Sequence, residues 1–182
     1  HIPHGTANAL LFPFVCRFNA QRHPYKMGTF SQYKYPQAFE RYVELGELIG
    51  VKGKNDEETF NNWINALEQL KADIGIPPTI CDWLCEAHPE KSAEDWEKEF
   101  LDAVDQMSEW AFHDACTGAN PVYPMIGELK QVYLRAFYGD EKFIEKYGDV
   151  LCVEVNNPTD THAAYPLGLT AEIGEDKVGG FR

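Results

Sequence analysis

The chain has 182 residues, 44% of them hydrophobic and 13% aromatic, and a formal net charge of −13 at neutral pH. That size supports one ordinary domain with a core of its own, and the apolar content excludes disorder throughout, since disordered chains lack the apolar surface to offset chain entropy. The acidic balance opposes a phosphate backbone, so no nucleic-acid partner is expected, and no apolar run approaches the roughly 18 residues a membrane-spanning helix needs.

HIPHG opens the chain, and residues 5–19, GTANALLFPFVCRFN, are strongly apolar with good helix formers at Ala7, Ala9, Leu10 and Leu11. This segment reads as a buried helix that kinks at Pro13 or restarts after Leu11, because proline removes a helix hydrogen bond and crowds the preceding turn. Residues 20–35, polar and punctuated by Pro24 and Gly28, read as a long loop. Pro36 opens a second helix, with Phe39, Tyr42, Val43 and Leu48 near helical spacing, and Gly50 ends it. Asn55 and Glu58 have capping-box spacing ahead of a third helix, whose Phe60, Trp63, Ile64, Leu67 and Leu70 form one apolar stripe. Gly75, Pro77 and Pro78 stop it.

A short helix over residues 80–87 is expected next. Ser92 with Asp95 then signals another start, and Trp96, Phe100, Leu101, Val104, Met107, Trp110 and Ala111 keep a helical period to about residue 115. CTGANPVYP breaks the pattern. A last strong helix spans residues 125–138, with Ile126, Leu129, Val132, Tyr133, Ala136 and Phe137 on one face and Gly139 as its stop.

No alternating strand pattern precedes Val150, so residues 1–139 read as all-α, an irregular helical bundle. Residues 140–182 read as a separate, poorly ordered acidic extension with one short strand over 150–155. The aromatic pairs Phe60 with Trp63 and Trp96 with Phe100 read as core packing, and the acidic runs at 56–58 and 94–99 as solvated first turns.

Five cysteines, Cys16, Cys81, Cys85, Cys116 and Cys152, are odd in number and scattered, which favours a reduced, cytoplasmic compartment. Cys81, Cys85 and His88 lack the C-x-x-C spacing and second pair of a zinc cluster and read as one helical turn with two small apolar thiols. His4 is the residue with chemical potential. It stands immediately before a helix, where unpaired N–H groups disfavour imidazolium and leave a lone pair for a metal, and Gly5 permits close backbone approach.

HIPHGTANALLFPFVCRFNA, TFSQYKYPQAFERYVELG, LKADIGIP and DACTGANPVYPMIGELKQVYLRAFYG, in that order over residues 1–139, resemble successive blocks of the iron-containing alcohol dehydrogenase family. The likeness is greatest to the alcohol dehydrogenase half of bifunctional aldehyde-alcohol dehydrogenases. It implies a Fe²⁺ ion, with Zn²⁺ as a possible substitute, held by one carboxylate and three histidines, the last of which His4 matches. It also implies NAD-linked interconversion of acetaldehyde and ethanol. The other ligands and the nucleotide-binding region precede the PHG motif in the family, so the chain resembles the C-terminal part of a longer enzyme and carries no complete catalytic set. Activity is then expected only in the full-length protein, itself a homo-oligomer or filament. The resemblance places Cys116 beside the substrate pocket, and Asn8, one turn beyond His4, would lie near the same site. Val122, where the family commonly has arginine, and His113, where it has an acidic residue, depart from the pattern, and no binding role passes to that turn. A non-catalytic helical interaction or oligomerisation module is the alternative reading.

Overall fold

Most of the helices begin where a nearby side chain satisfies their free N–H groups. The computed structural model describes residues 2–22 and 37–150, and in it α3 (Asp56–Asp73) starts at Asn55, whose side chain accepts the Glu58 N–H at 2.8 Å. The Glu58 carboxylate reaches back one residue further than the ordinary capping box, to the Lys54 N–H at 2.6 Å. Thr79 caps α4 (Ile80–Ala87) and Ser92 caps α5 (Ala93–His113), each accepting the N–H of an aspartate three residues on. Glu128 accepts the Met125 N–H at 2.7 Å at the head of α6 (Ile126–Tyr138). The remaining helices are α1 (His4–Asn19), α2 (Ala38–Leu48) and α7 (Asp140–Tyr147), with a single 3₁₀ turn at Thr117–Ala119. Among the described residues there is no strand, and the all-α expectation holds. Most of the loop expected over residues 20–35, and the strand expected from residue 150 on apart from Val150 itself, lie outside the described residues.

The helices pack around two cores that share α1. In the larger, Leu10 and Phe14 of α1 meet Ile80 and Leu84 of α4, Phe100 and Val104 of α5, Phe137 of α6 and Phe143 of α7. In the smaller, Cys16 meets Phe39 of α2 and Phe60, Trp63 and Ile64 of α3. Two cores on opposite sides of one helix explain its near-continuous apolar sequence. Pro13 is buried inside α1, which continues through it without restarting.

α6 is the other central element, touching α1, α4, α5 and α7. Its Leu134 and Ala136 are fully buried alongside Val132 and Phe137, so it is enclosed on more faces than the one stripe its spacing suggested. Two expected stripes are correspondingly narrower than their spacing implies. Leu70 of α3 is 56% exposed, and in α5 Leu101 and Trp110 face outward, because no element covers those sides. The aromatic expectation holds for Phe60, Trp63 and Phe100, all buried.

The helical body does not end at residue 139. Gly139 closes α6 as expected, but with φ +81° and ψ 157°, a conformation only glycine adopts cheaply, it turns the chain straight into α7. Phe143 is fully buried in the larger core, and Arg135 pairs with Asp140 at 2.7 Å while lying over the Phe143 ring. Residues 140–147 are therefore ordered bundle, not extension. A short, highly charged helix with one deep anchor has too little apolar period to be read from spacing.

Candidate functional site

α1 buries Leu10, Pro13, Phe14, Cys16 and Asn19 and carries an exposed row near its start. His4, Asn8 and Phe12, four residues apart, are all exposed, and Phe12 leans its edge toward Trp63 at 6.4 Å. His4 is the first helical residue rather than the one before the helix, with Pro3 as the cap whose carbonyl accepts the Ala7 N–H at 2.9 Å. The Asn8 amide Nδ2 lies 3.1 Å from His4 Nε2. An amide N–H can only donate, so Nε2 is the acceptor and its lone pair is taken up by Asn8. The structure thus brings two of the three expected site residues into direct contact.

Cys116 lies elsewhere. It is exposed, immediately before the 3₁₀ turn, with its N–H donated to Asp114 Oδ1 at 2.8 Å. Thr117 anchors this turn to the end of α5 by donating its hydroxyl to the Ala111 carbonyl at 2.5 Å. The turn is tied to α1 through a reciprocal amide pair, Asn19 Nδ2 to Asn120 Oδ1 at 3.0 Å and Asn120 Nδ2 to Asn19 Oδ1 at 2.6 Å. At 1.5 Å of rise per residue, Asn19 is about 22 Å along the helix from His4. Among the described residues no hydrogen bond joins Cys116 to His4 or Asn8. Val122, where arginine was the family expectation, is 1% exposed and offers only its carbonyl, to Asn120 Nδ2 at 2.6 Å. His113 is exposed at the last turn of α5, packed edge-on to Phe112.

Sequence reasoning did not find the buried polar cluster around Asn19. Tyr42 of α2 stacks on Trp63 at 4.7 Å and hydrogen-bonds to both Cys16 and Asn19. Burial, opposed by the Tyr42 hydrogen bond, pushes the Cys16 thiol from 9.0 up to about 11, and burial likewise raises the Tyr42 phenol. Nothing in the spacing of residues 16, 19, 42 and 120 announces that they meet.

These shifts fix a pH dependence. A group whose folded pKa lies above its unfolded value stabilises fully below the unfolded value, and that contribution disappears as pH rises through the folded one. The urea midpoint of the chain is expected to fall between pH 9 and 11, and to fall less steeply over that window in Cys16→Ala, as read by circular dichroism.

As a metal donor, His4 fits one position of a larger set. Its imidazole is accessible on a helix packed against two cores, and a metal at Nε2 would displace the Asn8 hydrogen bond, yet among the described residues there is no group of three or more His, Cys, Asp or Glu side chains placed to hold an ion. The four described cysteines are free thiols, as the odd and scattered set suggested, and no helix among the described residues is long and apolar enough to cross a membrane.

Residues 1–137 match the model of the Fe-containing alcohol dehydrogenase family, C-terminal part, and the chain belongs to that family. It is similar to the bifunctional aldehyde-alcohol dehydrogenase of Escherichia coli (strain K12), with 45% identity over 141 residues, which is 76% of this chain and 15% of that protein. It is also similar to the aldehyde-alcohol dehydrogenase of Clostridium acetobutylicum, 39% identical over 75% of this chain and 15% of that protein. The NADPH-dependent butanol dehydrogenase of Clostridium saccharobutylicum is 32% identical over 78% of this chain and 30% of its own length. The chain thus spans between about a seventh and a third of the length of these relatives.

Proposed function

We propose that this chain is the C-terminal helical part of an iron-dependent, NAD-linked alcohol dehydrogenase that interconverts acetaldehyde and ethanol, or similar primary alcohols, in the cytoplasm. The observation that carries the reading is the placement of His4, inside the family-matched region, on an exposed row of a helix that packs into both cores. When bound, a divalent iron would supply Lewis acidity toward the substrate oxygen, and NAD would accept or return the hydride.

The work of this chain is positional. His4 would offer its Nε2 lone pair to the metal in exchange for the Asn8 hydrogen bond that occupies it here. Two cores clamp α1, so the ring stands on a rigid element rather than a loop. Cys116, which the family resemblance sets beside the substrate pocket, stands exposed at the turn ahead of α6 and is joined through Asn120 to the far end of α1. The exposed Phe12 beside His4 and Asn8 is a surface that the remaining part of the enzyme would cover.

The reading is tested by assaying ethanol-dependent NAD reduction for the isolated chain and for the longer polypeptide that contains it, both supplied with ferrous iron. The expected result is turnover in the longer polypeptide and none in the chain alone. Turnover by the chain alone, or none by either, would overturn it.

A further inference from the structure

Cys81 and Cys85 stand one helical turn apart on α4, and the alcohol dehydrogenase reading uses neither. Both are free, half-buried thiols, and they are hydrogen-bonded to each other. Cys81 also lines a cavity of about 480 Å³ bounded by α4, α5, α6 and α7, so small solutes reach it. Lys142 of α7 lines the same cavity, and its charge acts on the Cys81 thiol.

Three chemistries could use such a pair, and geometry separates them. A disulfide needs Cβ atoms about 3.5–4.5 Å apart, whereas residues four apart on a helix hold theirs at about 5–6 Å, so oxidation would have to unwind much of this eight-residue helix. A tetrahedral ion needs four donors. The nearest candidates are engaged, Asp82 by the Thr79 hydroxyl at 2.6 Å and His88 by Glu90 at 3.3 Å, and among the described residues no third donor completes a group. A soft monovalent ion needs only two sulfurs. Metal–sulfur bonds of about 2.3 Å set in line separate the sulfurs by about 4.6 Å, a span that neighbouring thiols reach by rotation of their side chains alone.

We propose that Cys81 and Cys85 form a two-sulfur clamp for a soft monovalent cation of the Cu(I) class, with Lys142 offsetting its charge. Binding exchanges two thiol protons for one cation, releasing both protons to solvent and leaving a bis-thiolate complex of net charge −1, with no change of oxidation state. The ammonium of Lys142 favours the Cys81 thiolate, against a larger opposing effect from the Asp82 carboxylate. Burial and the neighbouring thiol both hold the free Cys81 upward from its ordinary value, so the empty pair rests neutral and suits an apolar helix face. This site is independent of His4 and of the activity proposed above.

The test is anaerobic titration of the 182-residue chain with Cu(I) against a chromogenic Cu(I) chelator, with native mass spectrometry for stoichiometry. One tightly held ion per chain is expected. Cys81→Ala and Cys85→Ala should each weaken it at least 100-fold, Lys142→Gln several-fold, and Cys116→Ala not at all. Because a cysteine variant could lose its fold, the unmodified chain is also alkylated with iodoacetamide with and without the ion, and joint protection of Cys81 and Cys85 is expected. The proposal is overturned by absence of a tight ion, by protection at other cysteines instead, by undiminished binding in either single cysteine variant, or by Zn²⁺ held as tightly as Cu(I).

Discussion

Phe143→Ala is expected to destabilise the chain by about 3–5 kcal/mol, the usual cost of emptying a buried phenylalanine site. The ring is fully buried in the larger core, with the Arg135 guanidinium 4.3 Å from its centroid and Tyr147 5.2 Å away. Removing it leaves a void bounded by well-packed helices and frees the α7 anchor at the same time. Ile144→Ala, one residue on and 43% exposed, should cost far less. Urea unfolding followed by circular dichroism reads both. Equal, small losses in the two variants would mean that α7 does not belong to the folded body, and the bundle would end at Gly139 after all.

His4→Ala in the longer polypeptide is expected to abolish iron retention, on the function proposed here. Losing a ligand removes a metal bond outright, whereas Asn8→Ala removes only an N–H that competes for the same lone pair and should leave iron content undiminished. Elemental analysis of the purified variants gives the iron content. The stability of the isolated chain should change by less than about 0.5 kcal/mol in His4→Ala, because the side chain is exposed and its hydrogen bond is to another exposed residue. That contrast separates a ligand from a folding residue. A variant that keeps its full iron content removes His4 from the metal site and with it the chemical basis of the assignment.

Local rules read much of this molecule correctly. The starts of α3 and α5 were visible in Asn55 with Glu58 and in Ser92 with Asp95, and the stops in Gly75 and Gly139, because caps and glycine turns act within four residues of chain. His4 and Asn8 were legible for the same reason, being neighbours on one helix face. Thr79 gave a start signal of the same kind that spacing did not single out.

Contacts across the chain were another matter. Leu70, Leu101 and Trp110 share the spacing of buried residues but face outward, since periodicity marks a face without saying whether anything covers it. Asn19 and Asn120 meet across 101 residues of sequence, and α7 is ordered through one phenylalanine entering a core built by four other helices. Composition, caps and apolar period by themselves determined an acidic, all-helical chain with His4 at the head of its first helix. Only the tertiary structure decided that α1 would serve two cores at once, leaving the His4 row free, and that Cys116 would sit with the far end of that helix, because burial depends on which surfaces meet and sequence spacing fixes only which residues share one.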